Sequence, residues 1–126
     1  MPPRYRVALC DDAADFVELL TLVFRVDEQF EVVGCAYDGL AAVELCATLK
    51  PDALLLDVSM PQMDGLTALP LIRRASPSTR VIMVSGFGSA EVAATALERG
   101  AVSWVEKGAS PSALRSQVKL QLAGLV

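Results

Sequence analysis

Two short runs in this chain, 54–56 and 81–84, are apolar at every position. A strand with one wet face alternates apolar and polar residues, whereas a strand that is apolar throughout is covered on both faces. Such strands belong to a sheet lying between two helical layers. The rest of the chain supplies those layers. Strand-like runs at 5–10, 30–35, 52–57, 80–85 and 101–107 alternate with helical stretches at 13–26, 38–49, 64–75, 89–100 and 110–126. The expectation is a single α/β domain over residues 1–126, three layers deep, with a five-stranded parallel sheet. Periodicity leaves the strand order open.

Local signals agree with this division. Lys50-Pro51 stops the second helix and Gly100 ends the fourth, while Ser110 caps the fifth and Pro111 opens it. Pro70 removes one backbone donor from the third helix and is expected to bend or loosen it. Phe16, Leu19, Leu20 and Val23 form the expected buried face of the first helix. Leu114, Val118, Leu122 and Leu125 do so for the fifth, with Leu120 pointing elsewhere. The fourth helix is built on Ala90, Ala93, Ala94 and Ala96, which bury little area, so it should be easily displaced.

Composition narrows the function. Hydrophobic residues make up 53% and charged residues 21%, enough for a core and against disorder. A net charge of −4 argues against a nucleic-acid surface within these residues. The apolar run near the start, 7–10, is too short for a secretory leader, and nothing approaches the roughly 20 residues of a membrane span. The expected location is the cytoplasm, with no membrane partner. Cys10, Cys35 and Cys46 lack metal-type spacing and read as free buried thiols in a reducing compartment. There is no histidine. That removes His-based triads, His-ligated metals and any phosphohistidine on this chain.

In an open parallel α/β sheet, the working site lies beyond the carboxyl ends of the strands. Asp11 and Asp12 follow the first strand, and Asp57 ends the third. Ser85 ends the fourth strand and Lys107 the fifth. The second ends in Cys35-Ala36 and offers nothing. Singly, each has a structural explanation: Asp12 as a helix cap, Ser85 as a turn residue, Lys107 as a solvated amine. Together they make coherent chemistry. Two carboxylates at about 4 Å repel by on the order of 4 kcal/mol at an effective dielectric near 20, and a hard cation such as Mg²⁺ relieves this. A lysine supplies a point charge for phosphate and a hydroxyl supplies a donor. Asp57 is then a candidate nucleophile forming an aspartyl phosphate. Phosphoryl transfer needs positioning and charge neutralisation more than a base, so lacking histidine is no handicap.

"CDD" (10–12), "LLLDVSMPQMDG" (54–65), "VSGFG" (84–88) and "GAVSWVEKGAS" (100–110) together resemble the receiver domain of two-component response regulators, over nearly the whole chain. The resemblance implies a flavodoxin-like sheet of order 2-1-3-4-5. It implies Mg²⁺ bound by Asp12, Asp57 and the backbone carbonyl of Ser59, with Asp11 acting largely through water. Asp57 would be the phosphoacceptor, Lys107 would pair with the phosphoryl group, and Ser85 would reach for it. The donor would be a histidine kinase or histidine phosphotransfer protein. The module would modify only itself, turning over no outside substrate. Its helix 4–strand 5–helix 5 face would switch, and could carry a homodimer.

The sequence departs from the family pattern at three places. Trp104 stands where Tyr or Phe is usual as the aromatic switch residue, and its larger indole must satisfy its N–H when buried. Lys107 is followed by Gly108 rather than by proline, as in receivers attached to helix-turn-helix domains of the LuxR/NarL kind. That points to a transcriptional output, with DNA contacted through a further domain. Phe87, two residues after Ser85, is a candidate modulator of phosphoryl lifetime by excluding water. Other readings stay open. An aspartyl-nucleophile phosphohydrolase usually carries a second acid two residues on, where Ser59 stands here. A degenerate receiver would bind partners without phosphorylation. A flavin carrier is disfavoured by the acidic "DDAADF" loop, which would repel a flavin phosphate.

Overall fold

A computed structural model of the protein describes residues 4–86 and 90–123. Five strands, β1 (Tyr5–Cys10), β2 (Phe30–Ala36), β3 (Ala53–Asp57), β4 (Arg80–Ser85) and β5 (Ser103–Glu106), alternate with five helices. These are α1 (Ala14–Arg25), α2 (Gly39–Leu49), α3 (Gly65–Ala75), α4 (Ala90–Glu98) and α5 (Pro111–Ala123). All strand pairs are parallel, and the order is β2-β1-β3-β4-β5, as the resemblance implied. The chain winds from β1 outward to β2, then crosses back to β3 on the other side. That reversal opens a crevice at the carboxyl ends of β1 and β3.

Alternate residues of the central strands feed two cores. Val7, Leu9, Leu55, Ile82 and Val84 pack with Val17, Leu20 and Phe24 of α1 and with Leu114, Val118 and Leu122 of α5. Ala8, Cys10, Leu54, Leu56 and Met83 pack with residues of α2, α3 and α4 on the opposite face. The continuous apolar runs are thus buried on both sides. Both Cys10 and Cys46 are buried, while Cys35 is half-buried; all three are free thiols.

The structure corrects several expectations. The buried stripe of α1 is Val17, Leu20 and Phe24, not Phe16, Leu19, Leu20 and Val23. Leu19 is 47% exposed. Apolar residues ring this helix, so its sequence allowed more than one stripe, and docking against the sheet selected one. Asp12 does not cap α1; Ala13 holds the N-cap position without a side-chain hydrogen bond. β5 is shorter than the expected 101–107. In α5, Leu114, Val118 and Leu122 are buried and Leu120 is 67% exposed, as expected. Leu125 and Phe87 lie outside the described residues. Ser110 caps α5 through its hydroxyl, which accepts from the Ala113 N–H at 3.1 Å.

Pro70 does not break α3, which continues to Ala75. The missing donor leaves the Leu66 carbonyl, four residues back, without its helical partner. Arg99, just after α4, donates to that oxygen through Nη1 at 2.8 Å. A side chain from just beyond one helix therefore supplies the hydrogen bond that another lost. Arg99→Ala should cost about 1 kcal/mol in urea unfolding. Pro70→Ala restores a local donor, so in that background the same change should cost less than half as much. Strict additivity in the double-mutant cycle would show that the two residues are not coupled.

Candidate functional site: an acidic crevice at the carboxyl ends of the strands

Asp11, Asp57 and Ser85 are delivered by strand ends whose preceding residues are buried. β3 is buried throughout and stops at Asp57, which is 4% exposed. The turn beyond it is tight: Val58 N–H donates to the Val84 carbonyl at 3.3 Å and Gly65 N–H to the Val58 carbonyl at 2.8 Å. A Cβ on residue 65 would overlap the backbone oxygen of Asp57, so only glycine fits there. Asp64 caps α3, accepting from Thr67 N–H at 2.7 Å.

Lys107, just past β5, reaches back across the crevice. Its ammonium lies 2.6 Å from Asp11 Oδ2 and 3.3 Å from Asp57 Oδ2. The Lys107 N–H donates to the Ser85 carbonyl at 2.8 Å, anchoring the lysine to the end of β4. Asp11 is buried and its Oδ1 accepts from Ala13 N–H at 2.9 Å, which fixes its second oxygen toward Lys107. Asp12 is exposed. Asp11, Asp12 and Asp57 offer oxygen atoms within 4.8 Å of one another. An open depression of about 250 Å³ is lined by Asp12, Asp57, Ser59, Ser85, Gly86 and Lys107.

The sequence-derived candidates therefore converge, with distinct placements. Asp12, Asp57, Ser59, Ser85 and Lys107 face the depression, while Asp11 is buried at its side against Lys107. Trp104 is half-buried and packs on the core beneath α2, α3 and α4, outside the depression. Phe16 was missed as a site neighbour. The Lys107 ammonium stands 5.2 Å from its ring centroid, within cation–π range. No local signal separates such a phenylalanine from a core one.

The family model for the response regulator receiver domain matches residues 7–119. The chain belongs to this family. Among curated relatives, protein-glutamate methylesterase/protein-glutamine glutaminase 5 of Myxococcus xanthus is 42% identical over 120 residues, 94% of this chain and 34% of that protein. The corresponding Thermotoga maritima protein is 42% identical over 104 residues, 81% of this chain and 30% of that protein. The chain thus spans about a third of the length of the curated relatives it matches. Among solved structures, the receiver domain of the response regulator NarL from Mycobacterium tuberculosis has a TM-score of 0.92 and 32% identity, covering 98% of this chain and 99% of that one. The response regulator domain of Thermotoga maritima CheB has a TM-score of 0.79 and 37% identity, with 96% and 92% covered. A CheX–CheY–BeF₃–Mg²⁺ complex from Borrelia burgdorferi matches with a TM-score of 0.89 and 30% identity, with 95% and 90% covered.

The electrostatics of this receiver site are poised for a cation. Burial, then the charges of Asp11 and Asp12, raise the Asp57 carboxyl to about 6, against the opposing pull of Lys107. Burial works to lower the Lys107 pKa, but its hydrogen bond to Asp11 and the charges of both carboxylates hold it above the ordinary lysine value. The donor set, all oxygen and acidic, fits a small hard divalent ion. Because the folded state raises the Asp57 pKa, it binds that proton more tightly than the unfolded chain does. Stability from this group is then greatest at low pH and falls as pH rises from about 4 through about 6, by up to roughly 3 kcal/mol. In EDTA, Asp57→Asn should therefore melt higher than wild type at pH 7.5, with the gap closing toward pH 4. Parallel melting curves at every pH would contradict this account.

Proposed function

We propose that this chain is a phosphoacceptor switch in which Asp57 takes a phosphoryl group from a phosphohistidine on a histidine kinase or histidine phosphotransfer protein. The observation that carries this reading is the near-buried Asp57 carboxylate. It is paired with Lys107 and crowded by Asp11 and Asp12, at the floor of a depression open to a donor. A carboxylate oxygen of Asp57 attacks phosphorus, and the P–N bond of the donor breaks. The electron pair leaves with the imidazole, and Asp57 becomes an acyl phosphate. Water later attacks phosphorus to release inorganic phosphate and restore the carboxylate. No outside substrate is turned over, so the chain acts as a signalling module rather than as an enzyme.

Asp12, Asp57 and the Ser59 backbone carbonyl would hold Mg²⁺, with Asp11 acting through water, and the bound ion supplies charge neutralisation as phosphoryl charge arrives. Lys107 is already held across the crevice and exchanges its Asp57 contact for the phosphoryl oxygens. Ser85 lies at the same rim and donates its hydroxyl to the phosphoryl group. That movement frees room beneath α4 for the Trp104 indole to turn inward. The likeness to a receiver solved with BeF₃ and Mg²⁺ supports this reading.

The switching face would be α4, β5 and α5. α4 buries only Ala96 of its residues, and Leu97 and Leu120 are 51% and 67% exposed, which suits a homodimer or partner contact. The curated relatives argue against a specifically transcriptional output, since they are protein-glutamate methylesterase/glutaminases. We place the output with that kind, in the cytoplasm, ahead of a DNA-binding one. Coding sequence past residue 126 tests it: a hydrolase domain supports the assignment, and a helix-turn-helix domain overturns it.

Intact mass after incubation with Mg²⁺ and acetyl phosphate tests the acceptor. Wild type should gain one phosphoryl group and Asp57→Asn none; equal labelling of both would move the acceptor elsewhere. Trp104 emission should shift when Mg²⁺ and beryllofluoride bind together, and an unchanged spectrum would remove Trp104 from the switch.

A further inference from the structure

β2 brings no acid, hydroxyl or amine to the site, yet the corner after it touches the loop that carries Ser59. This loop, between β3 and α3, has an unusual backbone. Gln62 lies at φ +68°, a left-handed conformation that a non-glycine residue rarely adopts. Met63 N–H turns back to the Pro61 carbonyl at 2.7 Å. Such a conformation persists when its surroundings impose it.

The β2–α2 corner supplies those surroundings. Gly39 is buried, and its N–H donates to the Met63 carbonyl at 3.0 Å. A Cβ on residue 39 would overlap that carbonyl oxygen and stand 2.9 Å from both the carbonyl carbon and the Cβ of Met63. No side chain fits there unless the loop retreats. The second contact is the Cys10 thiol, at the end of β1. It lies 3.4 Å from the Asp38 carbonyl and 3.4 Å from Met60 Sδ, so it touches the corner and the loop at once. Asp38 in turn caps α2, accepting from Ala41 N–H at 2.8 Å, which holds the corner rigid. Ser59 sits between two braced points: Asp57 on the sheet and the Met60–Met63 stretch against the corner.

We infer that the β2–α2 corner, acting through Gly39 and the Cys10 thiol, is a positioning element that sets where the Ser59 carbonyl stands and so how tightly the site holds its divalent cation. The inference rests on the proposed reading of the site as a Mg²⁺ centre. Gly39 and Cys10 touch neither the cation nor the phosphoryl group; they act through the loop. Outer-shell partners of this kind commonly change metal affinity by about 10- to 100-fold when altered.

Calorimetric titration of Mg²⁺ into wild type, Gly39→Ala, Cys10→Ala and Gly34→Ala decides the matter, with melting in EDTA as the measure of stability. Gly34 lies in β2, where the atoms nearest an added Cβ are side-chain carbons of Leu45 at 3.0 Å and Leu49 at 3.2 Å, so it disturbs packing away from the loop. Gly39→Ala should weaken Mg²⁺ binding about tenfold and Cys10→Ala about threefold. Gly34→Ala should melt lower in EDTA yet keep wild-type affinity. Should Gly39→Ala fail to fold, Cys10→Ala carries the test alone. Wild-type affinity in the folded corner variants overturns the inference, as does an equal loss in Gly34→Ala, which would make affinity follow stability. A wild-type protein that binds no Mg²⁺ overturns the reading of the site itself, a result distinct from unchanged affinity in the variants.

Discussion

Lys107 lies across the buried carboxylates of Asp11 and Asp57, joining the carboxyl ends of β1, β3 and β5, which are far apart in sequence. One ammonium cannot balance the three carboxylates gathered there, and the strands beneath them cannot spread. Leu54–Leu56 and their neighbours on β1 and β4 are packed from both faces. The repulsion is therefore held in place rather than relaxed, and it adds to burial, the larger cause, in raising the Asp57 pKa. A site built this way favours whatever brings positive charge to it.

The structure handles local conflicts by exporting them. Pro70 leaves a carbonyl unsatisfied inside α3, and Arg99 answers it from beyond α4. Gln62 sits in a conformation it would not choose alone, and the corner at Gly39 holds it there. In both cases the local rule is broken in one element and the compensation comes from another. The effect is to couple elements that are distant in sequence.

Membership of the receiver family states what the module is and leaves its output open. Relatives by sequence are methylesterase/glutaminases about three times as long, while solved neighbours include NarL and CheB receivers alike. The same fold thus recurs in receivers of differently named regulators. Of its residues α4 buries only Ala96, and Leu97 on it is exposed.

The layered α/β class, the element boundaries to within a few residues and the candidate residues Asp11, Asp12, Asp57, Ser85 and Lys107 were legible in the chain. Strand ends in a parallel sheet all open on one edge, so residues at matched ends must share it. The α1 stripe was misread because Phe16, Val17, Leu19, Leu20, Leu22, Val23 and Phe24 leave the helix apolar on several sides. Only docking on the sheet decided that Val17, Leu20 and Phe24 go inside. Phe16 beneath Lys107, Arg99 on the Leu66 carbonyl and Gly39 against Met63 were likewise invisible. Each is a contact between residues at least 24 positions apart, and such contacts depend on the relative placement of whole elements. The sequence by itself determined the pattern of burial and the chemistry at the strand ends, because period and residue type are local properties. Tertiary structure alone decided which carboxylate meets Lys107 and what braces the Ser59 loop, because those are distances between elements.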